Sequence, residues 1–141
     1  MIILALDYGE SRIGAAVCDE LEIAAHPLPN VRCDGTELEQ IAELVRQRSV
    51  NRIVVGMPVR MDGTEGRQSR KVRGFIKELR RELPEVEIET MDERLTSAEA
   101  HRTLSQMGAG SRRRRDAVDS MAAQIILRRY MERRRSGKEQ S

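Results

Sequence analysis

At 141 residues the chain has the length of one domain and enough sequence to bury a core without disulfides or a structural metal. With two tyrosines, one phenylalanine and no tryptophan, it is poorly suited to recognition by base stacking, and Cys18 and Cys33, outside any CxxC or Cys/His spacing, read as free thiols of a reducing, cytoplasmic compartment. The net charge of +2 conceals an asymmetry: residues 1–109 carry 15 Lys and Arg against 19 Asp and Glu, and residues 110–141 carry 10 against 4, so a polyanion would be met at the C-terminal end.

Residues 2–6 are wholly apolar and predict a short buried strand, too brief for a signal peptide or a membrane span. Asp7 follows at the strand's end, where a carboxylate is costly to desolvate unless a cation or hydrogen-bond donors meet it. Gly9 and Gly14 allow a tight reversal into a second strand over 13–18, and residues 23–31, interrupted by Pro27 and Pro29, suit an edge strand. Asp34-Gly35-Thr36-Glu37 has the form of a helix start, and Leu38, Ile41, Leu44 and Val45 follow at helical spacing. Residues 53–55 predict a central strand covered on both faces, ending in Gly56-Met57-Pro58. A loop with the turn signal Asp62-Gly63 then feeds a basic amphipathic helix whose apolar stripe is Val72, Phe75, Ile76, Leu79 and Leu83, stopped near Pro84. Residues 86–90 alternate apolar and acidic, as a strand leading to Asp92-Glu93-Arg94-Leu95-Thr96. Thr96-x-x-Glu99 is a capping box for a helix to about Met107, and residues 108–111 form a flexible break. The last helix is expected over about 115–134, burying Val118, Met121, Ala122, Ile125 and Ile126, with a flexible tail at 136–141. This order predicts an α/β fold in one domain over 1–135: a mixed sheet with antiparallel first strands, flanked by helices.

Acidic residues recur in similar settings: Asp7, Asp92 with Glu93, and Asp116 with Asp119 one turn apart in the last helix. Each has a structural reading, as a hairpin-turn acid, a charge cluster feeding a capping box, or first-turn acids favoured by the helix dipole. Strand ends and the start of a packed helix can also converge on one sheet edge, where carboxylates repel unless a divalent cation neutralises them. Hard oxygen ligands without His or Cys favour Mg²⁺ or Mn²⁺ over Zn²⁺. Such a site suits phosphodiester hydrolysis, with Arg12 and Arg94 as phosphate clamps and Arg112, Arg113, Arg114 and Arg115 gathering neighbouring phosphates.

Four motifs stand in order over residues 2 to about 131: Leu6-Asp7-x-Gly9-x-x-Arg12-x-Gly14; Gly56-x-Pro58 with Asp62-Gly63-Thr64; Asp92-Glu93-Arg94-Leu95-Thr96; and Val118-Asp119-x-x-Ala122-Ala123-x-x-Ile126-Leu127. They resemble the motifs of the YqgF family, also called RuvX. The resemblance implies an RNase H-like fold related to the Holliday junction resolvase RuvC. It also implies a cytoplasmic bacterial nuclease that processes the 5′ end of precursor 16S ribosomal RNA, with Asp7, Glu93 and Asp119 as catalytic carboxylates. Asp116 lies outside the usual motif, but an acid one turn before the last-helix Asp is similar to the RuvC arrangement, which makes it a further candidate metal ligand. Two other functions fit the same residues: a resolvase of branched DNA, which needs a symmetric dimer for paired cuts, and a non-catalytic RNA-binding protein using the Arg-rich end. A phosphotransferase of the actin and sugar-kinase type also begins with an Asp-x-Gly strand and turn, but needs two such domains around a nucleotide.

Overall fold

The computed structural model describes residues 1–9, 11–58, 66–92 and 111–140, the last helix by its backbone alone at 111–120 and 138–140. The apolar run after Met1 forms β1 (Ile3–Tyr8), which pairs antiparallel with β2 (Arg12–Cys18). β1 is longer than its apolar run predicts, because Asp7 and Tyr8 continue the ladder opposite Gly14 and Ile13. The third strand, β3 (Ala25–Arg32), pairs antiparallel with β2 and lies at the sheet edge, where Pro27 and Pro29 withhold no ladder donor that an outer neighbour needs. It starts two residues late, since Glu22 turns the chain at φ 55° and the amide of Ile23 donates to Asp19 Oδ1 at 3.1 Å.

Helix α1 (Glu37–Arg48) follows, and here the expected cap is altered: Thr36 holds the N-cap position without a side-chain cap bond, while Asp34 Oδ1 accepts from the Thr36 amide at 3.0 Å and Glu37 Oε1 from the Gly35 amide at 2.5 Å. The acids fold the turn before the helix instead of its first turn. Strand β4 (Arg52–Met57) pairs parallel with β1, α2 (Arg67–Glu82) packs back over the sheet, and β5 (Glu87–Asp92) pairs parallel with β4. The resulting order is β3-β2-β1-β4-β5, the mixed sheet expected. The loop over 59–65 and the helix expected from Thr96 to about Met107 lie outside the described residues.

Side-chain alternation divides the core in two. Leu4 and Leu6 of β1, Ile13, Ala15 and Val17 of β2, and Ile53 and Val55 of β4 face α1 and α2, packing with Ile41, Val72, Phe75, Ile76 and Leu79. On the other face Ile3, Ala5, Ala16, Cys18 and Val54 meet the last helix, α3 (Ser111–Gln140). α3 extends past both expected ends: Ser111, expected in the flexible break, and residues 112–114 are helical, and the backbone stays helical through Gln140. Its C-terminal part is tethered: Arg134 Nε donates to Glu22 Oε1 at 2.8 Å and Arg135 Nη2 to the Glu22 carbonyl at 3.3 Å. The buried stripe is also rotated from the expectation. Ala122, Ala123, Ile126, Leu127, Tyr130 and Met131 are buried, while Met121 and Ile125 are half-buried. Ala123 shares one buried cluster with Ala5 and Ala16, and such small residues let helix and sheet approach closely around buried Ile126 and Leu127.

Candidate active site

Two rows of the sheet locate the site. In β1, odd-numbered Ile3 and Ala5 belong to the α3 side, so Asp7, two residues further, points to that side as well. It is half-buried. Opposite it on β2 stands Gly14, and the parallel register that pairs Leu6 with Val55 brings Gly56 of β4 beside it on the other flank. The Asp7 carboxylate therefore rises between two positions without side chains, a floor over which a phosphate or hydrated cation can approach. The turn that follows depends on glycine: the Gly9 amide donates to the Arg12 carbonyl at 3.1 Å, and a Cβ at Gly9 would sit 2.6 Å from that oxygen. Arg12 has the same parity as Gly14 and Ala16, so it shares the α3 side of the sheet with Asp7. On the reverse side Tyr8 stacks against Phe75 of α2 with ring centroids 4.8 Å apart, fixing the end of β1 to the core. Burial, then the neighbouring Cys33, holds the Tyr8 hydroxyl above its ordinary pKa, so it contributes no charge there.

Helix α3 is the second wall, and a polar network at the opposite end of the sheet sets its register. Arg52, the first residue of β4, donates from Nη1 to the Tyr130 hydroxyl at 2.7 Å, and that hydroxyl donates to Glu89 Oε2 at 2.5 Å. Arg52 Nε also donates to Glu87 Oε2 at 2.8 Å. Since Arg52 is level with Ile3 in the parallel ladder, Tyr130 marks where α3 passes the start of β1. From Ile3 to Asp7 the strand advances about 13 Å, and from Tyr130 back to position 119 the helix advances about 16 Å. The backbone of α3 thus carries residue 119 toward the end of β1 that bears Asp7. Position 119 lies one turn before Ala123, and position 116 one turn earlier again. None of Arg52, Tyr130 or Glu89 stood out in the sequence, although Glu89 and Met91 fall on the α3 side of β5 by alternation.

The remaining candidates divide. Asp92 ends β5 opposite Met57 with the parity of buried Ile88, so it belongs to the α1/α2 side of the sheet, away from Asp7. Glu93 and Arg94 lie outside the described residues, as do the side chains of Asp116, Asp119, Arg112, Arg113, Arg114 and Arg115. Asp7 and Arg12 are thus brought together on one side of the sheet, and the helix bearing positions 112–119 leads toward them.

A mixed five-stranded sheet with an acid on its first strand and a helix crossing one face defines an RNase H-like fold. The fold is similar to that of Thermus thermophilus RuvC in complex with a Holliday junction substrate, with a TM-score of 0.54 at 15% identity covering 94% of this chain and 96% of that one. It is likewise similar to the fowlpox virus Holliday junction resolvase, with a TM-score of 0.52 at 15% identity covering 94% and 99%. Residues 1–133 match the RuvX family, described as Holliday junction resolvase, and the chain belongs to that family. Relatives bearing the name "Putative pre-16S rRNA nuclease" include one from Syntrophus aciditrophicus, 45% identical over 94% of this chain and 89% of its own length. Another, from Desulforudis audaxviator, is 41% identical over 98% and 99%. The chain is a phosphodiester-cleaving hydrolase.

Proposed function

We propose that this protein is a divalent-metal-dependent endonuclease that processes the 5′ end of precursor 16S ribosomal RNA in the cytoplasm. The observation that carries the reading is the setting of Asp7, half-buried on the α3 side of β1 between Gly14 and Gly56, with the backbone of α3 leading residue 119 to the same sheet end. The names of full-length relatives supply the substrate.

Asp7, Glu93 and Asp119 are the proposed ligands of Mg²⁺ or Mn²⁺, with Asp116 as a further candidate, and an all-oxygen donor set fits these hard cations. Bound there, such ions would polarise the scissile phosphate and lower the pKa of a water for attack. The chain's own contribution is to hold its carboxylates on a rigid strand and helix, to leave room beside Asp7 for the phosphate, and to grip neighbouring phosphates through Arg12 and Arg94, and through Arg112, Arg113, Arg114 and Arg115. Among the described residues no helix is long and apolar enough to cross a membrane, and both cysteines are free, as a cytoplasmic role requires.

The test is incubation of the purified protein with Mg²⁺ or Mn²⁺ and three matched substrates: precursor 16S RNA, a linear duplex and a four-way DNA junction. Cleavage of the RNA precursor at a defined 5′ position, absent in Asp7→Asn, supports the reading. Preferential cutting of the junction, the activity for which the family is described, would replace it with branched-DNA resolution.

A further inference from the structure

We infer that the outward face of α2 is a second nucleic-acid contact, a track for the phosphate backbone of the duplex arm that leads away from the cleavage site. This inference rests on the nuclease reading above and extends it to a surface on the opposite side of the sheet from α3. Arg67, Arg70, Gly74, Lys77 and Arg81 recur at helical spacing and are all exposed. At 100° per residue they fall within a narrow arc opposite the buried stripe of Val72, Phe75, Ile76 and Leu79, while the acids of the helix, Glu78 and Glu82, lie on one flank. Among the described residues no carboxylate forms an ion pair with Arg67, Arg70, Lys77 or Arg81.

Three features make this more than a solvated face. Like charges stand one turn apart, Arg67 with Arg70 and Lys77 with Arg81, an arrangement unfavourable to the free helix and relieved by an anion. The first turn carries Arg67 and no acid, against the preference of the helix dipole. Gly74 interrupts the middle of the face although a Cβ there would meet nothing within 4 Å, so nothing in the fold calls for a glycine. Between Arg70 and Lys77 it leaves the helix backbone open to close approach.

The geometry also links the track to the site. Ser69, fully buried, donates its hydroxyl to the carbonyl of Pro58, two residues beyond the Gly56 that flanks Asp7. The first turn of α2 is thereby held at the end of the sheet where Asp7 lies. From Arg67 to Arg81 the helix advances about 21 Å, the axial length of about six phosphates on one strand of a duplex. Without aromatic residues on the face, recognition is by charge and spacing, and independent of sequence.

The experiment uses the full chain and a fluorescent duplex of about 24 base pairs, made once as RNA and once as DNA, titrated without Mg²⁺ from about 50 to 300 mM KCl. Replacing Arg67, Arg70, Lys77 and Arg81 by Gln should flatten the slope of log affinity against log salt by about 3 and weaken binding at least about tenfold at low salt. Gly74→Glu sets a carboxylate in the middle of the track with a better helix former, so it should weaken binding severalfold without lowering the melting temperature. In cleavage assays the loss should fall on KM rather than kcat. A salt slope and affinity equal to wild type in both variants would overturn the inference, as would loss of binding to phosphatidylserine vesicles with duplex binding intact. Asp7→Asn, assayed alongside, separates the two readings. Cleavage that depends on Asp7 with binding indifferent to α2 sinks the track alone, whereas binding that depends on α2 with no cleavage of any substrate sinks the nuclease reading alone.

Discussion

Asp7→Asn keeps the shape of the strand end and removes one ligand charge. Metal stabilisation of a transferring phosphate contributes several kcal/mol, so turnover should fall on the order of 10²- to 10³-fold, measured as cleavage at saturating substrate. Wild-type turnover by Asp7→Asn, after host nuclease is excluded, would remove Asp7 from the site. Glu93→Gln is expected to match it, whereas Asp92→Asn should cost less than tenfold, because Asp92 has the parity of Ile88 and belongs to the other side of the sheet. A larger loss at Asp92 would reverse that assignment. For the helix acids, Asp119→Asn should be severe and Asp116→Asn milder, and equal loss of activity and metal affinity at both would indicate a four-carboxylate site.

The elements make their own contributions. Residues 112–115 begin α3 as helix, so their four arginines are carried on a rigid element beside the candidate site and not on a loop. Replacing all four by Ala should reduce the salt slope of substrate binding, by about 0.7 to 0.9 for each phosphate released, with a salt titration of affinity as the check. At the other end of α3 the Tyr130 hydroxyl links Arg52 to Glu89. Burial, then the bond to Glu89, raises its pKa above the ordinary 10.0, so the folded state holds this proton more tightly than the unfolded chain. Its stabilisation is therefore complete below about pH 10 and is lost as pH rises through the folded pKa. Tyr130→Phe should cost about 1 to 3 kcal/mol at neutral pH, since it removes hydrogen bonds to two charged, half-buried partners, and should make alkaline unfolding less steep. Denaturant melts at pH 7 and above pH 10 test both, and a Phe variant as stable as wild type would show that packing alone holds α3.

For the whole molecule, the decisive question is how many copies act on one substrate. A resolvase making paired cuts in a four-way junction needs a two-fold symmetric dimer, whereas trimming one end of an RNA precursor needs a single site. Solution mass with and without substrate, read beside the products, tests this: a monomer that cuts RNA once per binding event agrees with the proposed function. A dimer nicking opposed strands of a junction would overturn it. Helices α2 and α3 lie on opposite sides of the sheet, so under the proposed reading a duplex that met both would pass the ends of β1 and β4.

The class of fold, the antiparallel start of the sheet and the edge position of β3 were legible in the chain because each rests on local chemistry. A short apolar run flanked by glycines forms a hairpin strand, prolines confine β3 to an edge, and a wholly apolar β4 is covered on both faces. The phase of α2 was legible as well, whereas the length of α3 and part of its phase were not. Of the stripe read as Val118, Met121, Ala122, Ile125 and Ile126, Ala122 and Ile126 are buried, but Met121 and Ile125 are only half-buried and Ala123, Leu127, Tyr130 and Met131 join the core, because the face a helix buries is set by the sheet it packs on, which exists only once the strands have paired. The C-terminal part of α3 is tied down by Glu22, more than a hundred residues away in sequence, which accepts hydrogen bonds from Arg134 and Arg135. Nor could the chain alone separate Asp92 from Glu93 or pair Gly56 with Asp7, because side-chain parity and neighbouring strands are properties of the register. Sequence determined which groups could do the chemistry, and tertiary structure decided which of them share a side of the sheet, because facing is set by long-range pairing and packing that no local pattern encodes.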